Sequence, residues 1–259
     1  MIILIDIHSH ILPGIDDGSE DLQMSLEMLK TAEKCGTSTI IATPHYCIGY
    51  GETPYQQVKT MVSQMNKRAE NDNINIKIVH GQEVYFSTNM IEDYKNGIIG
   101  TINDSDYLLF ELPMHKFDEE TFDVIYELQI LGLKLILAHP ERYKPIINDP
   151  SLINKFINEG LLFQLNAGSI EGRFGKEVKK TAETLLENNI YNFFGSDAHN
   201  ISSRSTDLSG CEKIIKQVNP EMLEVFNESS KNLINNHEIE FIGNKVVKKK
   251  SMFSFLRKR

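Results

Sequence analysis

Short apolar segments alternate with longer segments of helical periodicity along nearly the whole chain. Most of the short segments are apolar at every position, which is typical of parallel strands buried on both faces. Parallel strands need long crossover connections, usually helices, so the alternation predicts an α/β fold. We predict seven strands, over residues 2–7, 38–43, 75–79, 107–111, 134–138, 161–165 and 191–195.

The segments between these strands carry helix signals. Ser19 is predicted to cap a first helix and Pro54 to begin a second, because both residue types are favoured at helix starts. Three glycines lie where helices must end: Gly36, Gly132 and Gly160. Further helices are predicted over residues 122–131, 151–158 and 176–188. Seven successive strand–helix units favour a barrel closed by parallel strands over an open sheet, and residues 1–244 are expected to form one domain.

Charge is distributed unevenly between that domain and the end of the chain. Seven of the 27 lysines and arginines lie in residues 245–259, so the other 244 residues carry 20 basic side chains against 36 acidic ones. An acidic body is a poor nucleic-acid binder, because attraction to phosphates dominates such binding. We therefore expect no nucleic-acid partner, and acidic side chains that surround bound cations.

Residues 245–259, KVVKKKSMFSFLRKR, have two interpretations. Apolar residues between two basic clusters (Met252, Phe253, Phe255 and Leu256) are typical of segments that attach to anionic membranes, and the alternative is a frayed, solvated tail. Three cysteines without a CxxC pair favour a reducing compartment. We find no signal peptide and no apolar run of ~18 residues. We expect a cytoplasmic protein, located at the inner face of the membrane under the first interpretation.

A polar side chain that can bind metal follows, or ends, nearly every predicted strand. In chain order these residues are His8 and His10, His45, Glu83, Glu111, His139, Asn166, and Asp197 with His199. The carboxyl ends of barrel strands meet at one mouth, where active sites lie. The sequence therefore predicts a ring of metal ligands around this mouth, with more ligands than one ion needs.

The spacing within the ring supports metal binding. His8 and His10 are two residues apart on a strand, so both point to the same side and can hold one ion. Asp6 shares that side and is predicted to orient a histidine, and the loop IDDGS brings Asp16 and Asp17 close by. Nitrogen and oxygen ligands without thiolate suit Mn, Fe or Zn. Three other histidines are interpreted as surface or packing residues: His80, His115 and His237.

Several motifs together resemble one known superfamily. The segments DIHSHILPGIDDGS, ATPHY, GQE, AHPERY, NAGSIEGRFG and GSDAHN are similar to the PHP (polymerase and histidinol phosphatase) superfamily. IDDGS, HPERY and GRFG narrow the resemblance to bacterial protein-tyrosine phosphatases of capsule and exopolysaccharide clusters, the CpsB/YwqE type. This resemblance implies a distorted seven-stranded (β/α) barrel of TIM-like form, two or three ions that are usually Mn²⁺, and a ring-shaped homo-oligomer. The helix near Ser19 is a candidate oligomer contact, and its methionines Met24 and Met28 are equally consistent with core residues.

The same resemblance assigns roles to individual residues. One ion would be held by His8, His10, Glu83 and Asp197, a second by Glu83, Glu111 and His139, and a third by Asp17, His45 and His199. Arg142 and Arg204 match the phosphate-binding arginines of the family. The implied activity is manganese-dependent hydrolysis of phosphotyrosine by a metal-activated hydroxide. The implied partner is the phosphorylated tail of a tyrosine kinase that regulates capsule or exopolysaccharide synthesis.

Several other activities are alternatives to tyrosine-phosphate hydrolysis. Cysteine-based tyrosine phosphatases need C-x5-R, and no cysteine here has an arginine six positions later. A histidinol-phosphate or other small-molecule phosphatase, a non-catalytic metal module and a proofreading nuclease remain alternatives. The loops CIGYGETP and PMHKFD are short for a lid, which predicts an open mouth suited to a peptide. Tyr50 and Phe117 in these loops are candidates to stack on the phosphotyrosine ring.

Overall fold

A computed structural model describes residues 4–248 of the chain. Its strands are β1 Leu4–Ser9, β2 Thr37–Ala42, β3 His45–Cys47, β4 Gly51–Glu52, β5 Lys77–His80, β6 Glu83–Tyr85, β7 Tyr107–Glu111, β8 Lys134–Ala138, β9 Leu162–Asn166 and β10 Phe193–Gly195. All seven predicted strands are present within two residues of their expected limits. The short strands β3, β4 and β6 were not predicted.

Helices connect most of these strands. They are α1 Leu22–Lys34, α2 Tyr55–Asn71, α3 Met90–Lys95, α4 Glu119–Ile130, α5 Lys144–Asn148, α6 Ile153–Asn158, α7 Ala167–Glu171, α8 Lys176–Glu187, α9 Ser209–Val218 and α10 Met222–Ile234. Short 3-10 turns lie at Ile102–Asp104, Pro140–Arg142 and Pro150–Leu152. None of the helices between residues 4 and 248 is both long and apolar enough to cross a membrane.

The strands pair as two sheets. One has the order β1-β2-β5, and the other has the order β10-β9-β8-β7-β6-β3-β4. Every pairing is parallel except that of β3 with β4. The chain passes from the first sheet into the second twice, from β2 to β3 and from β5 to β6. The α/β class with parallel strands is therefore confirmed, whereas the strands form two sheets and not one continuous ring of hydrogen bonds.

Helix starts differ from the prediction at one position. Asp21, not Ser19, caps α1, because its carboxylate accepts the backbone N–H of Met24 at 2.8 Å. The Ser19 hydroxyl instead donates to the backbone carbonyl of Asp21. Pro54 directly precedes α2, as expected. The three predicted helix-ending glycines all have positive φ, between 75° and 90°, a conformation that costs glycine little.

The apolar side chains of the strands divide between two sides of the sheets. One set, including Ile7, Ile41 and Leu109, packs between the sheets, and the larger sets pack against the surrounding helices. Met28 of α1 is fully buried in the core that α1 and α2 share with the first sheet, and Met24 packs against the same core. The core interpretation of these methionines therefore holds, and Met28 is not accessible for an oligomer contact.

The first residues of the predicted basic tail pack on the body. The backbone N–H and carbonyl of Val246 both bond the side chain of Asn154 at 2.9 Å, and Val246 is buried. Lys248 pairs with Asp149 at 2.5 Å. The apolar residues of the tail on which the membrane interpretation depends, Met252 to Leu256, lie outside the described residues.

Candidate metal centre

The two histidines of the first strand meet two carboxylates. Nε2 of His8 lies 3.1 Å from Oε2 of Glu83 and 3.6 Å from Oδ1 of Asp197. Nε2 of His10 lies 3.3 Å and 3.5 Å from the same two oxygens. All four side chains are buried. The structure therefore brings together the four residues that the resemblance assigned to one ion.

Glu83 also belongs to a second group. Its Oε1 lies 2.8 Å from Nε2 of His139, and its Oε2 lies 3.1 Å from Nδ1 of His45. Glu111 approaches the same two rings, at 3.3 Å from His45 and 3.7 Å from His139. The ligand atoms of His45, Glu83 and Glu111 lie within 4.8 Å of one another. The structure thus places His45, as well as His139, beside Glu83 and Glu111. The resemblance had grouped only His139 with these two carboxylates.

A third group lies nearer the solvent. Oδ1 of Asp17 lies 3.2 Å from Nε2 of His199 and 3.6 Å from Nε2 of His45. His10 belongs to this group as well, and the centroid of its ring lies 3.9 Å from that of the His199 ring. The three residues expected around a third ion are therefore adjacent, with His10 as an addition. His10, Glu83 and His45 each join two groups, so the groups form one continuous cluster.

The hydrogen bonding of this cluster is incomplete without a further charged group. Nδ1 of His45, Oε2 of Glu83 and Nε2 of His199 are buried, and none makes a hydrogen bond of acceptable geometry among the described residues. This holds although His45 and Glu83 lie 3.1 Å apart and His199 lies 3.2 Å from Asp17. A buried polar atom without a partner costs roughly 1–3 kcal/mol. His45 and Glu83 share one candidate ligand group and His199 belongs to another, so cations in these two groups would satisfy the three atoms. Imidazole and carboxylate ligands suit Mn, Fe and Zn, so the residues present fit the metal ions that the family implies.

The pKa values of the carboxylates also favour bound cations. Burial, with the negative charges of Glu83 and Asp197, raises the pKa of Glu111 to about 9. Burial also tends to raise the pKa of Glu83, but the charges of His8 and His45 hold that pKa well below its usual range. A negative charge on Glu111 is thus unfavourable beside Glu83 and Asp197, and bound divalent cations would remove that penalty.

Two residues orient the imidazoles of the first strand. Nδ1 of His8 lies 3.0 Å from the amide oxygen of Gln164, and Nδ1 of His10 lies 2.8 Å from Oδ2 of Asp16. Because both oxygens are acceptors, each Nδ1 carries the proton and each Nε2 is left free to bind an ion. Gln164, on β9, was not predicted, although a polar side chain inside the apolar run LLFQL indicates a buried hydrogen-bonding role.

Asp6 does not have the role expected of it. Its Oδ1 accepts the backbone N–H groups of His8 and Ser196, at 3.2 Å and 2.9 Å, and no imidazole. Asp6 therefore joins β1 to the segment that directly follows β10, and an isolated bridge between Ser9 and Ala198 joins the same two parts of the chain. The prediction that Asp6 orients a histidine ring is wrong.

Unusual backbone conformations place several of these side chains. His139 and Asp197 have positive φ, 34° and 50°, in a region that non-glycine residues seldom adopt. Such conformations concentrate at functional sites. Gly18 of IDDGS passes so close to the first strand that a Cβ there would lie 2.3 Å from the carbonyl oxygen of His10. This contact explains why glycine follows the two aspartates in that loop.

Arg142 and Arg204 converge on one carboxylate oxygen. Their guanidinium groups lie 2.9 Å and 2.7 Å from Oδ2 of Asp197. Both also pack on the ring of Phe174, with guanidinium carbons 4.5 Å and 5.8 Å from its centroid. Asn166, which follows the sixth predicted strand, donates to the same Oδ2 at 2.5 Å. Phe174 belongs to the GRFG motif, but its contact with both arginines was not predicted.

Glu141 of the HPERY motif points away from the mouth. It is fully buried and accepts hydrogen bonds from the backbone N–H of Asn166 at 2.9 Å and from the hydroxyl of Tyr191 at 3.0 Å. Burial raises the pKa of Glu141 to about 7. Glu141 therefore supports the loop that carries Asn166, and does not face the cleft.

The cluster opens into a cleft of about 410 Å³. Tyr50 is 61% exposed at its rim, with its ring 6.1 Å from that of His45, as a stacking role would require. Phe117 packs against Phe156 at 5.1 Å and does not line the cleft, so that part of the prediction is wrong. Cys47 lines the cleft, and burial, with Glu111 and Glu52, raises the pKa of its thiol.

The three histidines interpreted as surface or packing residues lie outside the cleft. His80 accepts or donates a hydrogen bond with the Tyr55 hydroxyl at 2.9 Å. His115 and His237 are exposed.

Comparisons with known proteins agree with this geometry. The family model described as capsular polysaccharide synthesis, CpsB/CapC, matches residues 4–236. The tyrosine-protein phosphatase YwqE of Bacillus subtilis is 33% identical over 253 residues, which cover 97% of this chain and 100% of YwqE. A crystal structure from work on YwqE and on CpsB of Streptococcus pneumoniae, described as unique metal-dependent tyrosine phosphatases, matches with a TM-score of 0.90. It is 32% identical and covers 95% of this chain and 100% of the other.

A more distant similarity concerns the fold alone. Histidinol phosphate phosphatase of Lactococcus lactis matches with a TM-score of 0.55 and 13% identity, over 83% of this chain and 95% of that one. At this identity the match shows a shared fold and carries no information about substrate.

Proposed function

The chain belongs to the CpsB/CapC family of capsular polysaccharide synthesis proteins, and we propose that it is a metal-dependent protein-tyrosine phosphatase. One observation carries the proposal. Nine imidazole and carboxylate side chains converge with two arginines at one cleft: His8, His10, Asp17, His45, Glu83, Glu111, His139, Asp197 and His199, with Arg142 and Arg204. The substrate follows from the phosphatases of this family, YwqE among them.

We propose that the three groups in the cluster hold two or three divalent ions, with Mn²⁺ as the native metal and Fe or Zn as alternatives. Their ligands would be those that the resemblance assigns, with His45 shared between the second and third positions. When bound, such ions supply an activated water nucleophile and neutralise charge on the phosphoryl group. Gln164 and Asp16 keep the rings of His8 and His10 in the tautomer that ligation needs.

The two arginines would bind the non-bridging phosphoryl oxygens. Each guanidinium offers parallel N–H donors that match the oxygens of a phosphate. Both now contact Asp197, so a phosphate dianion at the mouth of the cleft would exchange with, or share, these bonds. Phe174 packs against both arginines and limits their rotation. The phenol released from tyrosine has a pKa of about 10, which reduces the need for a proton donor.

The shape of the cleft favours a peptide over a small metabolite. The cluster lies at an open mouth whose rim includes the exposed ring of Tyr50, and that ring could lie against a phosphotyrosine. We propose the phosphorylated tail of a tyrosine kinase that controls capsule or exopolysaccharide synthesis as the substrate, and the cytoplasm as its location. A homo-oligomer and an attachment of the basic tail, residues 245–259, to the inner membrane surface remain part of this proposal.

We further infer that the two sheets close as a distorted seven-stranded barrel. The bridge between Ser9 of β1 and Ala198, three residues after the end of β10, supports this arrangement. The short connections from β2 to β3 and from β5 to β6 support it as well. In this arrangement residues 1–244 would act as a single catalytic domain.

A direct comparison of substrates tests the function. The purified chain, supplemented with Mn²⁺, should hydrolyse a phosphotyrosine peptide much faster than histidinol phosphate, and a His8→Ala variant should hydrolyse neither. A preference for histidinol phosphate would establish the small-molecule alternative. Release of no phosphate from either substrate, with metal bound, would favour the non-catalytic metal module.

A further inference from the structure

A second cavity lies beside the candidate metal centre. We call it the apolar groove, and it has a volume of about 200 Å³. Its walls are formed by Tyr46, Cys47, Ile48, Val84, Tyr85, Phe86, Ser87, Met90 and Asp93. Eight of these nine side chains are uncharged, and most are apolar or aromatic. A cavity of this composition binds apolar groups, because their burial is the main favourable term.

The groove is continuous with the cleft. Cys47 and Tyr85 line both cavities. These two residues end the neighbouring parallel strands β3 and β6, whose first residues, His45 and Glu83, are paired in register and belong to the metal cluster. Because side chains alternate along a strand, Cys47 and Tyr85 share the face of His45 and Glu83. Cys47 and Tyr85 therefore form the boundary between the cleft and the groove, whereas Tyr46 and Val84 line the groove from the opposite face of the same strands.

The distance between the two sites suits neighbouring residues of one peptide. At about 3.3 Å per residue, the path along β3 from His45 to Ile48 is roughly 10 Å. An extended peptide advances by the same rise per residue, so about three residues cover this path. A phosphotyrosine in the cleft would thus bring a close neighbour over the groove.

The exposure of Ile48 provides a further reason to expect an occupant. This side chain is 56% exposed at the tip of the β3–β4 connection. Tyr46 and Met90, which line the same groove, are buried. A bound apolar side chain would cover Ile48 and extend the packing of these buried neighbours.

We propose that the apolar groove is a substrate subsite that binds an aliphatic or aromatic side chain within about three positions of the phosphotyrosine. This inference rests on the proposed function and adds sequence specificity to it. The occupant is apolar because Asp93 is the only charged residue among those that line the groove. Contact with a partly open apolar pocket is worth about tenfold in kcat/KM.

Matched phosphopeptides test the subsite. A set of peptides carries one Leu, moved through about three positions on each side of the phosphotyrosine, and a reference peptide carries Asn throughout. We expect one position at which Leu raises kcat/KM about tenfold over Asn, mostly through a lower KM. Ile48→Ser should bring this Leu-to-Asn ratio close to one. Ile130→Ser is the matched control, since Ile130 is 64% exposed at the end of α4 and lines neither cavity.

Four other results of the peptide assays would each overturn a particular part of the proposal. Equal hydrolysis of the Leu and Asn peptides at every position would overturn the subsite and leave the phosphatase function intact. A preference for Lys over Leu would overturn the apolar occupant in favour of a pairing with Asp93. A Leu preference that survives Ile48→Ser would place the subsite elsewhere. Hydrolysis of p-nitrophenyl phosphate without that of any peptide would overturn the proposed function, and the subsite with it.

Discussion

Replacement of Arg142 by alanine separates substrate binding from metal binding in the cleft. The Arg142 guanidinium lies 2.9 Å from Oδ2 of Asp197 and 4.5 Å from the centre of the Phe174 ring, and its side chain is about one-fifth exposed. Asp197 would keep two other partners at the same oxygen in the variant, Arg204 at 2.7 Å and Asn166 at 2.5 Å. We therefore expect Arg142→Ala to retain its metal ions.

The expected loss of activity follows from the kind of contact removed. One preorganised donor to a charged transition state is typically worth about 2–4 kcal/mol, which corresponds to roughly 30- to 1,000-fold in kcat/KM. Arg204 shares both the carboxylate and the aromatic ring with Arg142. The loss in the double variant should therefore differ from the product of the two single losses, because neighbouring contacts are not additive.

The assay measures metal content and steady-state kinetics on the same protein samples. Arg142→Lys should recover only part of the activity, since lysine cannot donate two parallel bonds or stack flat on Phe174. Loss of metal ions from Arg142→Ala would show that Arg142 maintains the cluster and does not act on the substrate. Full activity with full metal content would refute a role for this residue.

Three further predictions follow from the geometry of the cluster. Gln164→Leu should weaken metal binding about 10- to 100-fold, because it removes the acceptor for Nδ1 of His8. Titration calorimetry with Mn²⁺ measures the change in affinity. An unchanged affinity would contradict the orienting role of Gln164. A chelator should abolish activity and lower the melting temperature, because ions that bind only the folded chain stabilise it. Added Mn²⁺ should restore both the activity and the melting temperature. An enzyme that the chelator does not affect would exclude a metal centre. Burial raises the pKa of Asp6 from 3.8 to about 6, so the folded chain keeps this proton to higher pH than the unfolded chain. Between these two pH values the ionisation of Asp6 should lower the free energy of unfolding by about 3 kcal/mol, in addition to the contributions of other titrating groups such as Glu141. Urea unfolding of the metal-free protein at several pH values should show a difference of this size between Asp6→Asn and the unaltered chain, and identical pH profiles would contradict the prediction.

The sequence by itself determined the class of the fold and the membership of the cluster. Apolar runs and helical periodicity are local properties, so all seven main strands could be located before any contact was known. Polar residues that follow buried strands must emerge at the same edge of parallel sheets. For this reason residues as distant in the chain as His8, Glu83 and Asp197 could be expected to meet, and the structure brings them within 3.1–3.6 Å.

Only the tertiary structure decided how that cluster is supported and what lies beside it. Gln164 contacts His8 across 156 positions of sequence; its polarity within an apolar run is visible in the sequence, but the identity of its partner is not. The same is true of Phe174 between the two arginines, and of Asp6, which bonds the backbone directly after β10 where its spacing had suggested a histidine ring. The short strands β3 and β6 depend on pairing between segments that are too brief to show periodicity. Periodicity reports which face of an element is buried, whereas the partner that covers this face is chosen by packing among all the elements together.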